Sequence, residues 1–179
     1  MKGVVFTEFL DLVEIKFGLE MVDDIITEAQ LPNQGVYTAV GTYSFSEMLH
    51  LLQALSKNTG ISIDNLLLIY GEHFFSIIET IYPGVLATYK DPIEMLSSIE
   101  NHIHVEVKKI YPDAELPSFI VEQKTESNLV MTYKSSRAMH HFGLGLMNKT
   151  FEHFNTKANI VLEKINKDGT EVRFVINKM

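Results

Sequence analysis

The apolar period of this chain changes once, at Ser118. Before it, apolar residues recur at steps of three and four, the spacing of one buried helix face. After it they alternate, as in half-buried strands, until one last helical stretch intervenes. Helices first, then strands with a single helix among them, predict an α+β domain with an antiparallel sheet.

The helical part starts with 2–17, where Val4, Val5, Phe9, Leu12, Val13 and Phe17 share a face before Gly18, followed by a short helix at about 20–30. The run VYTAVGTY after Gly35 predicts a strand from its β-branched and aromatic residues. Ser44 and Glu47 form a capping box for the next helix, and an almost wholly apolar helix from about 63 to 80 is expected to be central. The best-bounded helix lies between Asp91 and Pro112. Asp91 is a suitable N-cap, Pro92 stands at the first helical position, and Pro112 ends the ladder. At roughly 1.5 Å per residue such a helix is about 28 Å long. Ile93, Leu96, Ile99, Ile103, Val107 and Ile110 predict one buried stripe along it. Beyond Ser118, Phe119–Val121 with Leu129–Tyr133 and Ile160–Ile165 with Val172–Ile176 read as two hairpins, separated by a helix over about 137–155.

A net charge of −8 and a pI near 5.3 argue against a nucleic-acid footprint or binding to an anionic membrane. The chain has no cysteine, which excludes disulfides, iron–sulfur clusters and thiolate metal sites. No apolar run is long enough to span a bilayer, and Glu8 and Asp11 interrupt the start before a signal core forms. A soluble protein, cytoplasmic in a bacterium, is expected.

Two arrangements carry chemistry. His102 and His104, beside the apolar stripe, are two apart and so face about 200° away from each other; one of them could hold a cofactor iron, and periodicity leaves open which. On a strand, Tyr133, Ser135 and Arg137 would share a face, with a guanidinium fork and two hydroxyls suited to carboxylates; a helix cap with an exposed arginine is the other reading. The remaining histidines, His140 and His141 among them, show no zinc spacing and are expected at or near the surface. Gly143 and Gly145 suggest close approach of something flat or of another helix. With no Ser-His-Asp arrangement, P-loop or GxGxxG, nothing points to an enzyme.

MKG at the start, VGTYSFSEML over 40–49, the run from His104 through Glu106, Val107, Lys109, Tyr111 and Pro112 to DAELP, and Tyr133-x-Ser135-x-Arg137 together resemble the H-NOX family. These are haem nitric oxide/oxygen binding domains, similar to the haem domain of soluble guanylate cyclase. The resemblance covers essentially all of the chain, in order. It implies a single H-NOX domain over 1–179 with haem b buried between a helical amino-terminal lobe, approximately 1–62, and a carboxy-terminal lobe, 63–179, of antiparallel sheet plus helices. His104 matches the proximal ligand of the iron, Tyr133, Ser135 and Arg137 the motif that holds the haem propionates, and Pro117 the proline that presses on the porphyrin and distorts it.

The resemblance further implies a gas sensor that is not itself an enzyme. Oxygen-binding members carry a hydrogen-bonding tyrosine on the helix after the Tyr-x-Ser-x-Arg motif. Here that helix has no tyrosine, the matching position falls near Phe142, and either His140 or His141 is the residue that could donate instead. Nitric oxide is therefore the expected ligand, with carbon monoxide bound weakly; an oxygen sensor, carrier or redox protein is the alternative. Val5, Phe9 and Phe74 join Phe142 as distal-pocket candidates from their apolar helix faces. Loss of the His104–iron bond would then signal to a separate partner, in this family a histidine kinase or a diguanylate cyclase.

Overall fold

In the computed structural model, which describes all residues from Met1 to Met179, the two capping signals start helices as expected. Ser44 and Glu47 complete a reciprocal capping box on α3 (Phe45–Thr59). Asp91 Oδ1 accepts from the amides of Ile93 (2.8 Å) and Glu94 (3.3 Å) at the start of α6 (Pro92–Ser97), which follows the single turn α5 (Pro83–Leu86). The chain divides into two compact units, Met1–Tyr70 and Gly71–Met179, with the boundary inside α4 (Ile63–Ile81). No single helix is long and apolar enough to cross a membrane.

In the first unit, α2 (Leu19–Ala29) packs on both α1 (Val4–Phe17) and α3. Phe6, Phe9, Leu12 and Val13 of α1 and Leu51, Leu52 and Leu55 of α3 are buried. The strand predicted at 36–43 is absent: the segment is a turn with one isolated bridge, Lys2 to Thr42. Its carbonyls serve α1 instead, Gly41 O accepting from Gly3 N (2.8 Å) and Ala39 O from Val4 N (2.9 Å), so they satisfy amides that a helix start leaves open. Of the aromatic residues that suggested a strand, Tyr37 stacks on Phe6 with ring centroids 4.4 Å apart and Tyr43 meets it edge-on at 5.6 Å. Only a glycine fits at position 3, where a Cβ would lie 1.8 Å from Thr38 O.

The second unit holds a four-stranded antiparallel sheet in the order β1-β2-β4-β3, from β1 (Ser118–Lys124), β2 (Asn128–Lys134), β3 (Ala158–Lys164) and β4 (Glu171–Lys178). Both predicted hairpins form. Alternate residues Leu129, Met131 and Tyr133 of β2 and Val172, Phe174 and Ile176 of β4 pack with Ile93, Leu96, Met147 and Phe151 as one core. Arg173 lies opposite Thr132 in register and reaches Glu122 (3.1 Å) and Glu163 (3.7 Å), so this arginine serves the sheet surface. Asp91 is also paired with Lys178 at the end of β4. Burial would raise the Asp91 pKa, but Lys178 and the two cap amides outweigh it and hold it below the usual carboxylate value.

The helix predicted to run unbroken from Asp91 to Tyr111 is in three pieces. α6 ends at Ser97, a π-helical turn spans Ile99–Ile103, and α7 runs His104–Ile110. The hydroxyls of Ser97 and Ser98 both donate back to Glu94 O (2.9 Å each), competing with backbone amides for helix carbonyls. His104 N then reaches back five residues to Ile99 O. One extra residue in the turn rotates everything after it by about 100°. The predicted stripe is therefore broken: Ile93 and Leu96 are buried, whereas Ile110 is 52% exposed.

Candidate functional site

The π-helical turn sets the direction of the two candidate histidines. His102 meets the Tyr89 hydroxyl through Nδ1 at 2.5 Å, and its Nε2 stands 3.9 Å from Glu106 Oε1, beyond hydrogen-bond distance. His104 points Nδ1 at Glu100 Oε1, 3.3 Å away, and its side chain is 14% exposed. Burial lowers the His104 pKa and outweighs Glu100, which raises it, so the ring is neutral at pH 7. A neutral imidazole with its Nδ1 proton directed at a carboxylate has its lone pair on Nε2, the form that ligates metals. No group of three or more His, Asp or Glu side chains gathers to hold a bare ion. A metal at His104 would need a cofactor to complete its coordination.

The Tyr-x-Ser-x-Arg residues do not share a strand face as predicted, because β2 ends at Lys134 and Ser135–Met139 form the turn into α8 (His140–His153). Ala138 adopts a left-handed φ of 50°, which delays the helix predicted from about 137. The turn nevertheless gathers the three side chains. Tyr133 is buried, its hydroxyl accepts from Met139 N (3.0 Å) and bonds Ser135, and Ser135 Oγ accepts from Arg137 N (3.2 Å). Burial raises the Tyr133 pKa, while Ser135, the Met139 amide and the Arg137 charge act against it. Arg137 forks onto Glu115, through NH1 to its carbonyl oxygen (2.8 Å) and through NH2 to its carboxylate. The other reading, a helix cap at Ser135 or Ser136 with an exposed arginine, does not hold, since Met139 is the N-cap of α8 and the Arg137 side chain is 17% exposed. The same contact holds the segment leading to Pro117, which is half-buried just before β1.

Phe119 connects the two arrangements. It pairs with Tyr133 in the β1–β2 register, their ring centroids lie 5.4 Å apart, and the His104 ring is 6.1 Å from it. Its amide donates to Glu100 Oε1 (2.6 Å). Neither Phe119 nor Glu100 was singled out from the sequence. The four-residue spacing of Glu100 and His104 was the available signal for the second.

The distal candidates occupy separate surroundings. In the first unit Phe9 is buried edge-on to Tyr70 at 5.3 Å, and the half-buried Val5 accepts the Tyr70 hydroxyl through its carbonyl. In the second, Phe142 packs on Phe74 with centroids 5.5 Å apart. The close approach suggested by Gly145 is to another helix, since a Cβ at Gly71 of α4 would lie 2.1 Å from Phe142 O and 3.1 Å from the Gly145 Cα, whereas a Cβ at Gly143 would meet the rings of Phe119 (3.8 Å) and Phe174 (4.0 Å) in the sheet. His140, expected near the surface, is 3% exposed, with its ring 4.4 Å from that of His141 and against Gly169. His141 itself is half-buried.

With this geometry in place, the comparison with known families is decisive: the haem-NO-binding family profile matches residues 2–162. The chain belongs to the haem-NO-binding (H-NOX) family. Its fold matches an H-NOX protein from K. algicida, described as Fe(II) unliganded, at TM-score 0.98 and 75% identity over 100% of this chain and 97% of that one. A mutant of the K. algicida protein is 76% identical with the same coverage and TM-score. An H-NOX from Shewanella woodyi, described as bound to IWP-051 in the Fe(II)CO state, is 33% identical over 100% of this chain and 95% of its own, at TM-score 0.83. An S. oneidensis H-NOX in the Fe(II)NO state, 22% identical at TM-score 0.91 with 100% and 99% coverage, shares the fold.

H-NOX domains bind haem, and the residues present fit that group. An imidazole with its Nδ1 side occupied and a guanidinium already bearing a carboxylate are the two donor types that haem iron and haem propionates require. Glu115 is 83% exposed, so exchanging it for another carboxylate costs little desolvation.

Proposed function

We propose that this H-NOX protein senses nitric oxide through haem b ligated by His104, with Tyr133, Ser135 and Arg137 on the propionates and Pro117 against the porphyrin. The observation that carries the reading is that the rings of His104 and Tyr133 both lie against that of Phe119, which supports one site shared by the proposed ligand and the proposed propionate residues. His104 would hold the haem iron, and the haem would supply a ferrous site for nitric oxide. Were nitric oxide to weaken the bond to His104, the short helix α7 and the π-helical turn that carry this residue would be free to shift and would bias the surface that a separate protein reads. A histidine kinase or a diguanylate cyclase is the proposed reader. The role is signalling, in the cytoplasm, with no reaction catalysed by this chain. Carbon monoxide is proposed as a second, weaker ligand, and the S. woodyi relative described in the Fe(II)CO state supports its binding.

Selectivity rests on Phe142, with Val5, Phe9 and Phe74 as the other distal residues. Bound oxygen needs a buried hydrogen-bond donor, which the Phe142–Phe74 pair lacks, whereas nitric oxide does not. The reduced, haem-loaded protein is therefore expected to keep its ferrous spectrum on brief exposure to air. Phe142→Tyr is expected to raise oxygen affinity about fivefold to tenfold, the effect of one net hydrogen bond of about 1–1.4 kcal/mol. A reversible spectral change of the unmodified protein in air would instead favour an oxygen sensor, carrier or redox protein, with His140 or His141 as the donor to test next.

A further inference from the structure

We infer that Glu100 is the positioning residue for the proposed iron ligand: its carboxylate holds the Nδ1 proton of His104 and, through the same oxygen, fastens that histidine to the start of β1. The inference deepens the haem reading above and rests on it.

Three observations carry it. Glu100 Oε1 lies 3.3 Å from His104 Nδ1 and 2.6 Å from the Phe119 amide nitrogen, so one oxygen serves both a ring on α7 and the backbone of the sheet. Glu100 lies inside the π-helical turn that ends at His104, so the local backbone and the contact form a single feature. The neighbouring acid, Glu106, is committed differently: it pairs with Lys109 at 2.5 Å and stands 3.9 Å from His102. Of these two acids, Glu100 is the one whose carboxylate faces His104, the proposed iron ligand.

A carboxylate on the far nitrogen fixes the tautomer and the ring plane of a ligating histidine and makes the imidazole a stronger electron donor. It also gives the released imidazole a fixed partner. When His104 leaves the iron, its Nδ1 contact keeps it tied to Glu100, and motion of the ring is transmitted to the Phe119 amide and strand β1.

The test uses the whole haem-loaded chain. Glu100→Gln replaces the carboxylate with a neutral amide whose carbonyl can still accept from Phe119 and from Nδ1. We expect the iron–histidine stretch in the resonance Raman spectrum of the ferrous protein to move to lower frequency, and the ferric/ferrous midpoint potential to rise. Glu106→Gln, a charge change of the same size two residues beyond His104, is expected to move neither. An unmoved stretch in Glu100→Gln, or equal shifts in both variants, overturns the assignment while leaving the haem reading intact. Absence of any iron–histidine stretch in the unmodified protein overturns both. Should Glu100→Gln not fold, the unmodified protein bound to carbon monoxide decides: a slowly exchanging, downfield His104 Nδ1 proton is expected by nuclear magnetic resonance, and a rapidly exchanging one contradicts the assignment.

Discussion

Replacing His104 with glycine is expected to abolish the bond between protein and iron and to leave the fold largely in place. The side chain contributes little to the core clusters: it touches Phe119 and Glu100 and stands at the first position of a seven-residue helix. Glycine costs about 1 kcal/mol relative to alanine in a helix, less near its end. The far-ultraviolet circular dichroism should therefore be close to that of the unmodified protein. The ferrous visible spectrum should change completely, and free imidazole should restore it by entering the space of the deleted ring. His102→Ala is the matched control. It removes the contact to Tyr89 and should leave the ferrous spectrum unchanged. The reverse pattern, a normal spectrum in His104→Gly and a lost one in His102→Ala, would transfer the ligand role to His102.

Arg137→Ala is expected to weaken haem retention by roughly 10- to 100-fold, measured as transfer of haem to an apoprotein acceptor. A charge-assisted pair contributes roughly 1.5–3 kcal/mol, and 1.4 kcal/mol is a factor of ten. Its present partner separates this role from a purely structural one. If Arg137 served only to hold Glu115 and the segment before Pro117, Glu115→Ala would lose haem to the same degree. Under the propionate assignment Glu115→Ala retains haem as well as the unmodified protein or better, because a competing carboxylate is gone. Arg173→Ala, removing a sheet-surface arginine, should not change retention.

Local signals account for what was legible in the sequence. The caps at Ser44 and Asp91 depend on residues within one turn, and the hairpins depend on alternation that the β1-β2-β4-β3 sheet buries on one face. The misread features depend on partners far along the chain. Residues 36–43 have strand composition, yet their carbonyls and rings are taken up by α1. The π-helical turn arises where serine hydroxyls compete for a carbonyl, and a 3.6-residue period carries through it as if nothing had changed. Neither His102 nor His104 is distinguished by its own helix position; their partners come from elsewhere, Tyr89 on the preceding connector meeting Nδ1 of His102 and Glu100 meeting Nδ1 of His104. Tyr133, Ser135 and Arg137 were legible as a group of neighbouring polar side chains, although a turn gathers them rather than a strand. Phe119 could not be seen because its role depends on two neighbours from different elements.

The most direct test of the central claim, haem held by His104 and read out by nitric oxide, is the visible spectrum of the reduced protein before and after addition of the gas without oxygen. A spectrum of ferrous haem bound to one histidine, replaced on addition of nitric oxide by that of haem whose iron has lost its protein ligand, is the predicted result. Colourless protein from haem-replete cells, or a spectrum in which histidine stays on the iron after nitric oxide binds, would contradict it.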